Sequence, residues 1–322
     1  MIVLGVLVSS CYVGIDAALR SDIELLDSTN RSLREHPGKM MRPILALLVA
    51  EAAGQATPPE DTYRYAAATE LLHNATLLHD DVVDGATERR GIPTVASLLG
   101  GSAAVLIGDY WLQKCLRLIL GARRETDRVL RLFAQTLGHL TEGELLQMQK
   151  STTGDTTEAD YLRIIYGKTA SLFESTALSA AISVSAPEEV VRAMGDFAVQ
   201  LGIAFQIKDD IFDYSDAAQA LGKPVGIDLL EQKITQPLLC ALDQVPAAEQ
   251  QRIRGLVVRI AEQPSLAAEV SAFVKEHDGV SLAVAEMEKH VDLAISYLHV
   301  LPESREKGYL EKLARFVGQR EK

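Results

Sequence analysis

The sequence predicts an all-α protein, a single-domain bundle of about ten or more helices around a central cavity. Apolar residues make up 48% of the 322 positions and aromatic residues only 5%, and the strong helix formers Ala and Leu are abundant. No segment shows the alternating β-branched pattern of a strand. No Pro/Gly/Ser-rich linker or low-complexity run divides the chain, so we expect one domain over residues 1–322.

Charge and cysteine content argue against several classes of protein. The formal net charge of −12 argues against nucleic acid as a partner, because a phosphate backbone demands a basic face. Anionic small molecules stay possible, since they respond to local charge. Cys11, Cys115 and Cys240 are far apart and odd in number, which argues against a disulfide framework or a zinc site. A reducing cytoplasm fits this usage.

The first residues, Met1–Gly14, are apolar like the core of a signal peptide but lack its basic leader. They are also too short, and too often interrupted by polar residues, to span a bilayer. We interpret them as a first helix or a misplaced start and expect no transmembrane segment.

Prolines and glycines mark the helices of the first third. Residues Asp22–Arg34 form a polar, loosely helical segment that ends at His36-Pro37-Gly38. Pro43 suits the first turn of an apolar helix over Ile44–Ala53, where its missing N–H costs nothing. A long helix then begins near Thr62 and continues into an aspartate-rich end.

The middle third contains further helices over Ala103–Leu120 and Asp127–Lys150. Thr156-Thr157-Glu158 is typical of the N-cap of the next helix. That helix contains Gly167, which costs about 1 kcal/mol relative to Ala. The cost is easier to understand if the helix kinks there and frees backbone carbonyls for a ligand.

Pro187 begins a helix that runs to Asp213. A loop through Leu221–Pro237 follows it. The last third is amphipathic helix with scattered charge, ends in the basic tail Arg320–Lys322, and shows no reactive cluster.

Asp80, Asp81 and Asp84 end the long helix. Asp80 and Asp84 share a helix face, with Asp81 roughly 100° around the axis. Their mutual repulsion would be offset by a hard cation, and Mg²⁺ typically takes one or two carboxylates plus substrate phosphate oxygens. On its own, this motif is as compatible with an acidic helix end facing water.

The same spacing returns at Asp209, Asp210 and Asp213, again after an apolar helix. A matched pair on core-like helices is uncommon, so the second triad favours metal binding. If the triads face each other, six carboxylates share a site with basic residues. Such a mixture suits one diphosphate held through metal ions and another held directly. The basic residues are Lys39, Arg42, Arg89, Arg90, Lys168, Lys223 and Lys233.

Together these motifs resemble a trans-type polyprenyl diphosphate synthase of the all-helical isoprenoid synthase family. The resemblance runs from Gly38 to about Pro237 and more faintly to the C-terminus. Its specificity lies in the order, spacing and identity of the motifs taken together. They are Gly38-Lys39-x-x-Arg42-Pro43, His73 with Asp80-Asp81-x-x-Asp84, Arg89-Arg90-Gly91, Gly108-Asp109-Tyr110, Glu142-Gly143-Glu144-x-x-Gln147, Lys168-Thr169, Phe205-Gln206-x-x-Asp209-Asp210-x-x-Asp213, Gly222-Lys223-Pro224 and Lys233-x-Thr235-x-Pro237.

The resemblance implies a role for each residue. Three Mg²⁺ would be ligated by Asp80, Asp84 and Asp209, with Asp81, Asp210 and Asp213 in support. The allylic diphosphate would also contact Arg89, Lys168, Lys223 and Lys233. The diphosphate of isopentenyl diphosphate would contact Lys39, Arg42, His73 and Arg90. The Lys168 and Thr169 carbonyls, with Gln206, would stabilise a carbocation.

The implied reaction is a head-to-tail condensation in an active-site cavity. The allylic C–O bond ionises, metal ions neutralise the departing diphosphate, and the isopentenyl double bond attacks. The resemblance implies that diphosphate itself takes the lost proton. The Lys223–Lys233 loop would act as a lid that excludes water.

Two departures from the family pattern affect the loops. The family usually has two glycines and a basic residue where this chain has Pro37-Gly38 and Met40. It usually has Glu-Gly-Lys where this chain has Glu231-Gln232-Lys233. Neither departure removes a proposed ligand.

Product length is expected to be set at Ala75 and Thr76, about one turn before Asp80. In the family, bulky aromatic residues there stop growth early. Small residues predict a product longer than fifteen carbons, with a medium or long polyprenyl chain, for example octaprenyl, favoured over geranylgeranyl. Alternatively, the small residues only allow close helix packing.

Three other functions stay open. A class I terpene cyclase would leave Lys39, Arg42 and Arg90 unexplained, because it needs one diphosphate site. A head-to-head synthase does not fit the Gly38–Pro43 and Lys223–Pro237 segments. An inactive subunit of a two-component synthase typically lacks aspartates that are all present here. The resemblance also implies a homodimer.

Overall fold

A computed structural model of the chain describes residues 14–35, 38, 40–54, 57–89, 91–214 and 226–320. These residues form fifteen α-helices besides the helical residues 14–19, with one π-helical segment, one 3₁₀ turn and one hairpin of two-residue strands. The predicted all-α class and the predicted number of helices are therefore confirmed.

The chain divides into two compact units. The first draws on Met1–Ala134, Ser175–Met194 and Leu301–Lys307, and the second on Gln135–Glu174, Gly195–Val300 and Gly308–Lys322. The single domain over residues 1–322 stays a prediction.

The elements up to the middle of the chain are α1 (Glu24–Glu35), α2 (Met41–Gly54), α3 (Glu60–Val83), β1 (Glu88–Arg89), β2 (Ile92–Pro93), α4 (Val95–Leu99), α5 (Gly101–Leu120) and α6 (Thr126–Thr153). They continue with α7 (Glu158–Ile165), the π-helical segment Tyr166–Ala170, α8 (Ser171–Ser183) and α9 (Glu188–Asp213). The remaining elements are α10 (Ile227–Leu230), α11 (Gln236–Leu242), α12 (Ala247–Arg259), α13 (Leu266–Glu276), α14 (Gly279–Tyr297), the 3₁₀ turn Leu298–Val300 and α15 (Arg305–Gln319).

Helix α3 is the centre of the first unit and packs against α2 and α5. Its N-terminal end is fixed by buried polar groups. The Asp61 carboxylate accepts the backbone N–H groups of Arg123 and Arg124 at 3.0–3.2 Å, and the Tyr65 hydroxyl donates to the Arg124 carbonyl at 2.6 Å. These bonds hold the loop after α5 against α3. They satisfy backbone donors that would otherwise be costly to bury.

In the second unit, hydrogen bonds between side chains and backbone also fix the ends of loops. Thr157 forms a capping box with Asp160, in which each side chain accepts the other's backbone N–H at 3.1 Å. The Arg254 guanidinium donates to the carbonyls of Gly154 and Thr156 at 3.2 and 2.8 Å. The predicted cap at Thr157 is confirmed, and the start of α7 is thereby fixed.

Several helices begin close to prolines in the sequence. Pro43 lies in the first turn of α2, and α9 begins directly after Pro187. The helix expected from Thr62 begins two residues earlier, at Glu60. The β1–β2 hairpin was not predicted, because strands of two residues are too short to show alternation.

One described helix, α9, is long and apolar enough to cross a membrane by length and composition. Its best window reaches a mean hydropathy of 1.2, and 61% of that window is buried inside the protein. Burial of this kind is expected of a core helix in a soluble protein.

Candidate active site

The first aspartate motif ends α3 in the first unit. Asp80 and Asp81 lie in the last turn, and Asp84 is the C-cap residue, whose N–H donates to the Asp80 carbonyl at 2.8 Å. Asp81 is 5% exposed, whereas Asp80 is half-buried and Asp84 is exposed. This burial follows the expected helical geometry, with Asp81 turned away from the face shared by Asp80 and Asp84.

Arg89 contacts the buried member of this motif. Its Nε donates to Oδ1 of Asp81 at 2.7 Å. The hairpin formed by β1 and β2 brings Arg89 back to α3, and Gly91 has a left-handed φ of +78° in its turn. Arg89 is therefore positioned at the motif, and its guanidinium offsets the charge of Asp81.

The residues one and two turns before Asp80 face different directions. Thr76 is half-buried, and its hydroxyl donates to the His73 carbonyl at 2.8 Å. His73, Thr76 and Asp80 share one face by their spacing. Ala75 is 1% exposed and lies at the contact with α5, where a Cβ on Gly108 would be 3.2 Å from the Ala75 carbonyl. The close-packing interpretation of Ala75 is directly supported, and its role in product length stays a prediction.

Of four further predicted diphosphate contacts, the structure describes one. Lys39, Arg90 and Lys223 lie outside the described residues. Arg42 is half-buried in the first turn of α2, in the first unit with His73.

The second aspartate motif ends α9 in the second unit, and Asp210 is the centre of a buried hydrogen-bond network. Oδ2 of Asp210 accepts the Tyr161 hydroxyl at 2.6 Å, and Oδ1 accepts the Gln206 amide at 2.9 Å. Oε1 of Gln206 accepts the Thr169 hydroxyl at 2.7 Å. The structure therefore brings together three residues that the sequence singled out, Thr169, Gln206 and Asp210, and adds Tyr161.

Several carboxylates are crowded in this region. Burial and the charge of Asp228 raise the pKa of Asp210 well above its ordinary value, and the hydrogen bonds from Tyr161 and Gln206 work against that rise. Burial and the charge of Asp213 raise the pKa of Asp228 to about 7. Both backbone N–H groups at the start of α10, from Ile227 and Asp228, donate to the Asp213 carboxylate at 3.0 Å. In the sequence, the only signal for Asp228 is its place between two lysines.

Lys168 lies in the π-helical segment, which interrupts the regular α-helix at Gly167, where a kink was predicted. The predicted release of backbone carbonyls for a ligand stays a prediction. Its Nζ forms an ion pair of 2.5 Å with Glu144 of α6. The two elements approach closely because both have glycine at the contact. A Cβ on Gly143 would be 3.0 Å from the Lys168 nitrogen, and one on Gly167 would be 3.0 Å from the Gly143 Cα. The glycines of these two motifs therefore serve backbone packing.

Lys233 follows α10 and forms an ion pair with Glu231. Between them, Gln232 has a left-handed φ of +58°, and its side-chain amide donates to the Val258 carbonyl. A left-handed conformation costs roughly 1–2 kcal/mol for a residue with a Cβ. This explains why glycine is usual at that position in the family pattern.

A cavity of about 200 Å³ in the second unit brings several of these side chains together. It is lined by Lys168, Gln206, Asp210, Asp228 and Lys233, among others. Four of the five were predicted site residues from three distant parts of the sequence. These five include two lysines that could hold an anion and two crowded carboxylates. A third lysine in the lining, Lys150, is paired with Asp155 and Asp160.

The first unit contains a larger groove, of about 860 Å³, between the helical residues 14–19, α3 and α5. Arg64, Ala67 and Lys114 are among the residues that line it. It lies at the opposite end of α3 from Asp80, roughly 20–30 Å away along the helix at about 1.5 Å per residue. None of the predicted ligands within the described residues lines this groove.

Arg320 is a neighbour of the second motif that the sequence did not reveal. It follows α15, and its Nη2 donates to Oδ1 of Asp209 at 2.5 Å. The basic tail, in which no reactive cluster was expected, therefore has one residue at the site.

Both motifs suit a hard divalent cation. All six donors are carboxylates, the oxygen ligands that Mg²⁺ prefers, and a cation would offset the repulsion that raises the pKa of Asp210. Among the residues described here, no three His, Cys, Asp or Glu side chains form a metal cage. Mg²⁺ does not require one, because it typically takes one or two carboxylates and completes its shell with water and substrate phosphate.

Comparison with known proteins gives consistent matches. A family model described as polyprenyl synthetase matches residues 23–274. The octaprenyl diphosphate synthase of Haemophilus influenzae is 36% identical over 298 residues, covering 92% of this chain and 89% of that protein. The crystal structure of heptaprenyl diphosphate synthase from Staphylococcus aureus has a TM-score of 0.91 at 28% identity and covers 99% of both chains. A polyprenyl synthase from Caulobacter crescentus, crystallised with calcium and isoprenyl diphosphate, has a TM-score of 0.90 at 29% identity and covers 99% of this chain and 96% of that one.

Proposed function

Because the chain belongs to the polyprenyl synthetase family and is therefore a prenyltransferase, we propose that it condenses isopentenyl diphosphate with an allylic diphosphate. The proposed condensation is head to tail and forms trans double bonds. The observation that carries the proposal is the cavity lined by Lys168, Gln206, Asp210 and Lys233. Two cations beside crowded carboxylates suit a diphosphate that arrives with divalent metal.

Magnesium would be held by Asp80, Asp84 and Asp209, with Asp81, Asp210 and Asp213 in support. When bound, it supplies charge neutralisation for the departing diphosphate. Arg89, Lys168, Lys223 and Lys233 would hold the same diphosphate directly. Lysine suits this task because its ammonium is a movable point charge on a flexible stem.

The buried network orients the groups that would face the cation. The Thr169 hydroxyl holds Oε1 of Gln206 while Asp210 holds Nε2, so the amide cannot rotate. A fixed amide dipole costs no reorganisation when positive charge develops nearby. Isopentenyl diphosphate would be held by Lys39, Arg42, His73 and Arg90.

We further propose a product longer than fifteen carbons, of the octaprenyl type. Support comes from the small residues Ala75 and Thr76 and from the names of the relatives, octaprenyl and heptaprenyl diphosphate synthase. Geranylgeranyl diphosphate is the alternative product.

The proposed assembly is a homodimer in the cytoplasm. One face of α5 supports it, because four large apolar side chains are exposed there within about 100° of helix surface. They are Val105, Leu106, Leu116 and Leu120, exposed by 39%, 68%, 38% and 60%. Sedimentation of the wild-type chain and of Leu106→Lys tests this, since the substitution should convert a dimer to a monomer.

The function is tested by incubating the protein with Mg²⁺, farnesyl diphosphate and radiolabelled isopentenyl diphosphate. Chain extension with release of diphosphate is expected, and should stop when EDTA is added. Cyclic hydrocarbon would indicate a terpene cyclase instead, and no turnover would indicate an inactive subunit. Chromatography of the dephosphorylated product gives its length.

A further inference from the structure

Arg320 lies along one face of α9. Its Nη2 donates to Oδ1 of Asp209 at 2.5 Å and to the Phe205 carbonyl at 3.0 Å. Its guanidinium carbon lies 3.9 Å from the centre of the Phe205 ring and 5.5 Å from that of Phe212. Positions 205, 209 and 212 are one or two turns apart, so a single side chain contacts three successive layers of the helix.

The two partners of this ion pair differ in burial. The Arg320 side chain is 6% exposed, and a buried guanidinium is costly unless it is paired and stacked. Its carboxylate partner, Asp209, is 42% exposed and is an expected metal ligand. One side of the Asp209 carboxylate is thus held from within the protein, while much of it stays accessible to a ligand.

We propose that Arg320 is a positioning residue, which holds the Asp209 carboxylate in the orientation that receives a divalent cation. The proposal rests on the proposed function, because it takes Asp209 as a metal ligand. Residues that hydrogen-bond a metal-ligating carboxylate fix its orientation before the metal arrives. The stacking on Phe205 fixes the guanidinium in turn, since its planar fork loses little freedom when it pairs.

A competing role predicts the opposite result. If Arg320 were only a counter-charge, it would compete with the metal ion for Asp209, and its removal would tighten metal binding. If it positions Asp209, its removal weakens binding, typically by 10–100-fold for outer-shell partners.

The test measures Mn²⁺ binding to the full-length protein by electron paramagnetic resonance, with inorganic diphosphate present. Arg320→Met should raise the Mn²⁺ dissociation constant about tenfold. Arg320→Lys keeps the charge but loses the fork, and should give a smaller rise. The matched control is Arg315→Met, which removes the same charge from an exposed position of α15 and should leave binding unchanged. Unchanged or tighter binding in Arg320→Met would overturn the proposal.

A double-mutant cycle with Asp209→Asn separates positioning from a general structural effect. In the Asp209→Asn background, Arg320→Met should cause no further loss of Mn²⁺ affinity. An equal loss in both backgrounds would show that Arg320 acts elsewhere. Circular dichroism identifies any variant that fails to fold, in which case Arg320→Lys carries the comparison.

Turnover adds a second readout. In Arg320→Met, the Mg²⁺ concentration for half-maximal chain extension should rise by a larger factor than kcat at saturating Mg²⁺ falls. If the Mn²⁺ affinity of the wild-type protein depends on Arg320 and Asp209 but the protein extends no allylic diphosphate, the proposed function fails and the positioning role stands.

Discussion

The hydroxyl of Tyr161 donates a hydrogen bond of 2.6 Å to Oδ2 of Asp210, and both side chains are buried, at 2% and 4% exposure. The bond joins α7 to the end of α9 that carries the second aspartate motif. It also lowers the pKa of Asp210, which burial raises. Tyr161 thereby favours the ionised carboxylate that metal binding requires.

Tyr161→Phe should destabilise the fold by about 1–3 kcal/mol, because a buried carboxylate loses a donor. It should also lower kcat, since the Gln206–Asp210 pair loses an anchor. Urea denaturation measures the first effect and turnover the second. Tyr110→Phe is the matched control, because the Tyr110 hydroxyl donates to a backbone carbonyl at an exposed position, at 3.1 Å. Equal losses in the two variants would contradict the prediction.

Two glycines of α6 should respond in opposite ways to alanine. A Cβ on Gly143 would be 3.0 Å from the Lys168 nitrogen, so Gly143→Ala should cost about 1–3 kcal/mol and displace Lys168. Gly138 is exposed and has nothing within 4 Å of an added Cβ, so Gly138→Ala should stabilise by about 0.4–1 kcal/mol. Thermal unfolding compares the two variants, and turnover shows whether Gly143→Ala reduces activity. A stabilising Gly143→Ala would be inconsistent with this packing.

Product length should shorten when a bulky residue is placed before Asp80. Ala75→Phe should shorten the polyprenyl chain and also cost about 1–3 kcal/mol, because Ala75 packs on Gly108 of α5. Thr76→Phe should cost less, since Thr76 is half-buried on the Asp80 face. Chromatography of the dephosphorylated products gives the lengths, and unfolding curves give the stability change. An unchanged product distribution in both variants would remove these residues from length control.

The stability of the protein should depend on pH through His290. Burial lowers the pKa of His290, partly offset by Glu286, and its Nδ1 contacts Oε1 of Gln200 at 2.6 Å. The folded state therefore binds the proton more weakly than the unfolded state. This contribution to stability is present above the unfolded value of about 6.5 and is lost as the pH falls through the lowered value.

His290→Gln should remove this part of the acid sensitivity. Between about pH 7.5 and about pH 5.5, the free energy of unfolding should fall more in wild type than in the variant. Urea denaturation at the two pH values measures the difference. His299→Gln is the control, because His299 is exposed. Parallel losses in wild type and His290→Gln would show that His290 does not titrate on unfolding.

Local chemistry explains what the sequence could predict. Asp80 and Asp84, and likewise Asp209 and Asp213, are close because helical spacing makes them close. Pro43, Pro187 and Thr157 mark helix starts because each acts on backbone close to it in the sequence. Gln232 shows why the family pattern usually has glycine at this position, because the backbone there has a left-handed φ of +58°.

Contacts between distant segments account for what the sequence did not reveal. Arg320 is 111 residues from Asp209 and belongs to a tail that resembles any basic C-terminus. In the sequence, Asp228 looks like an ordinary acidic residue of a loop. Its interaction with Asp213 is apparent only in the structure. The small side chain of Ala75 predicted space for a product. The structure shows that this small side chain also lies where α3 and α5 pack closely.

The π-helical segment Tyr166–Ala170 places a surplus residue inside a helix without turning the helix that follows. A π-turn contains about one residue more than an α-turn, so the five π-helical residues turn the chain through about the same angle as roughly four α-helical residues. Leu172 and Phe173, exposed by 1% and 0%, therefore stay on the core side of α8. Deleting one residue of the segment would leave those faces in place and remove the widened turn that carries Lys168 and Thr169. A one-residue deletion would here disturb the candidate site rather than the hydrophobic core.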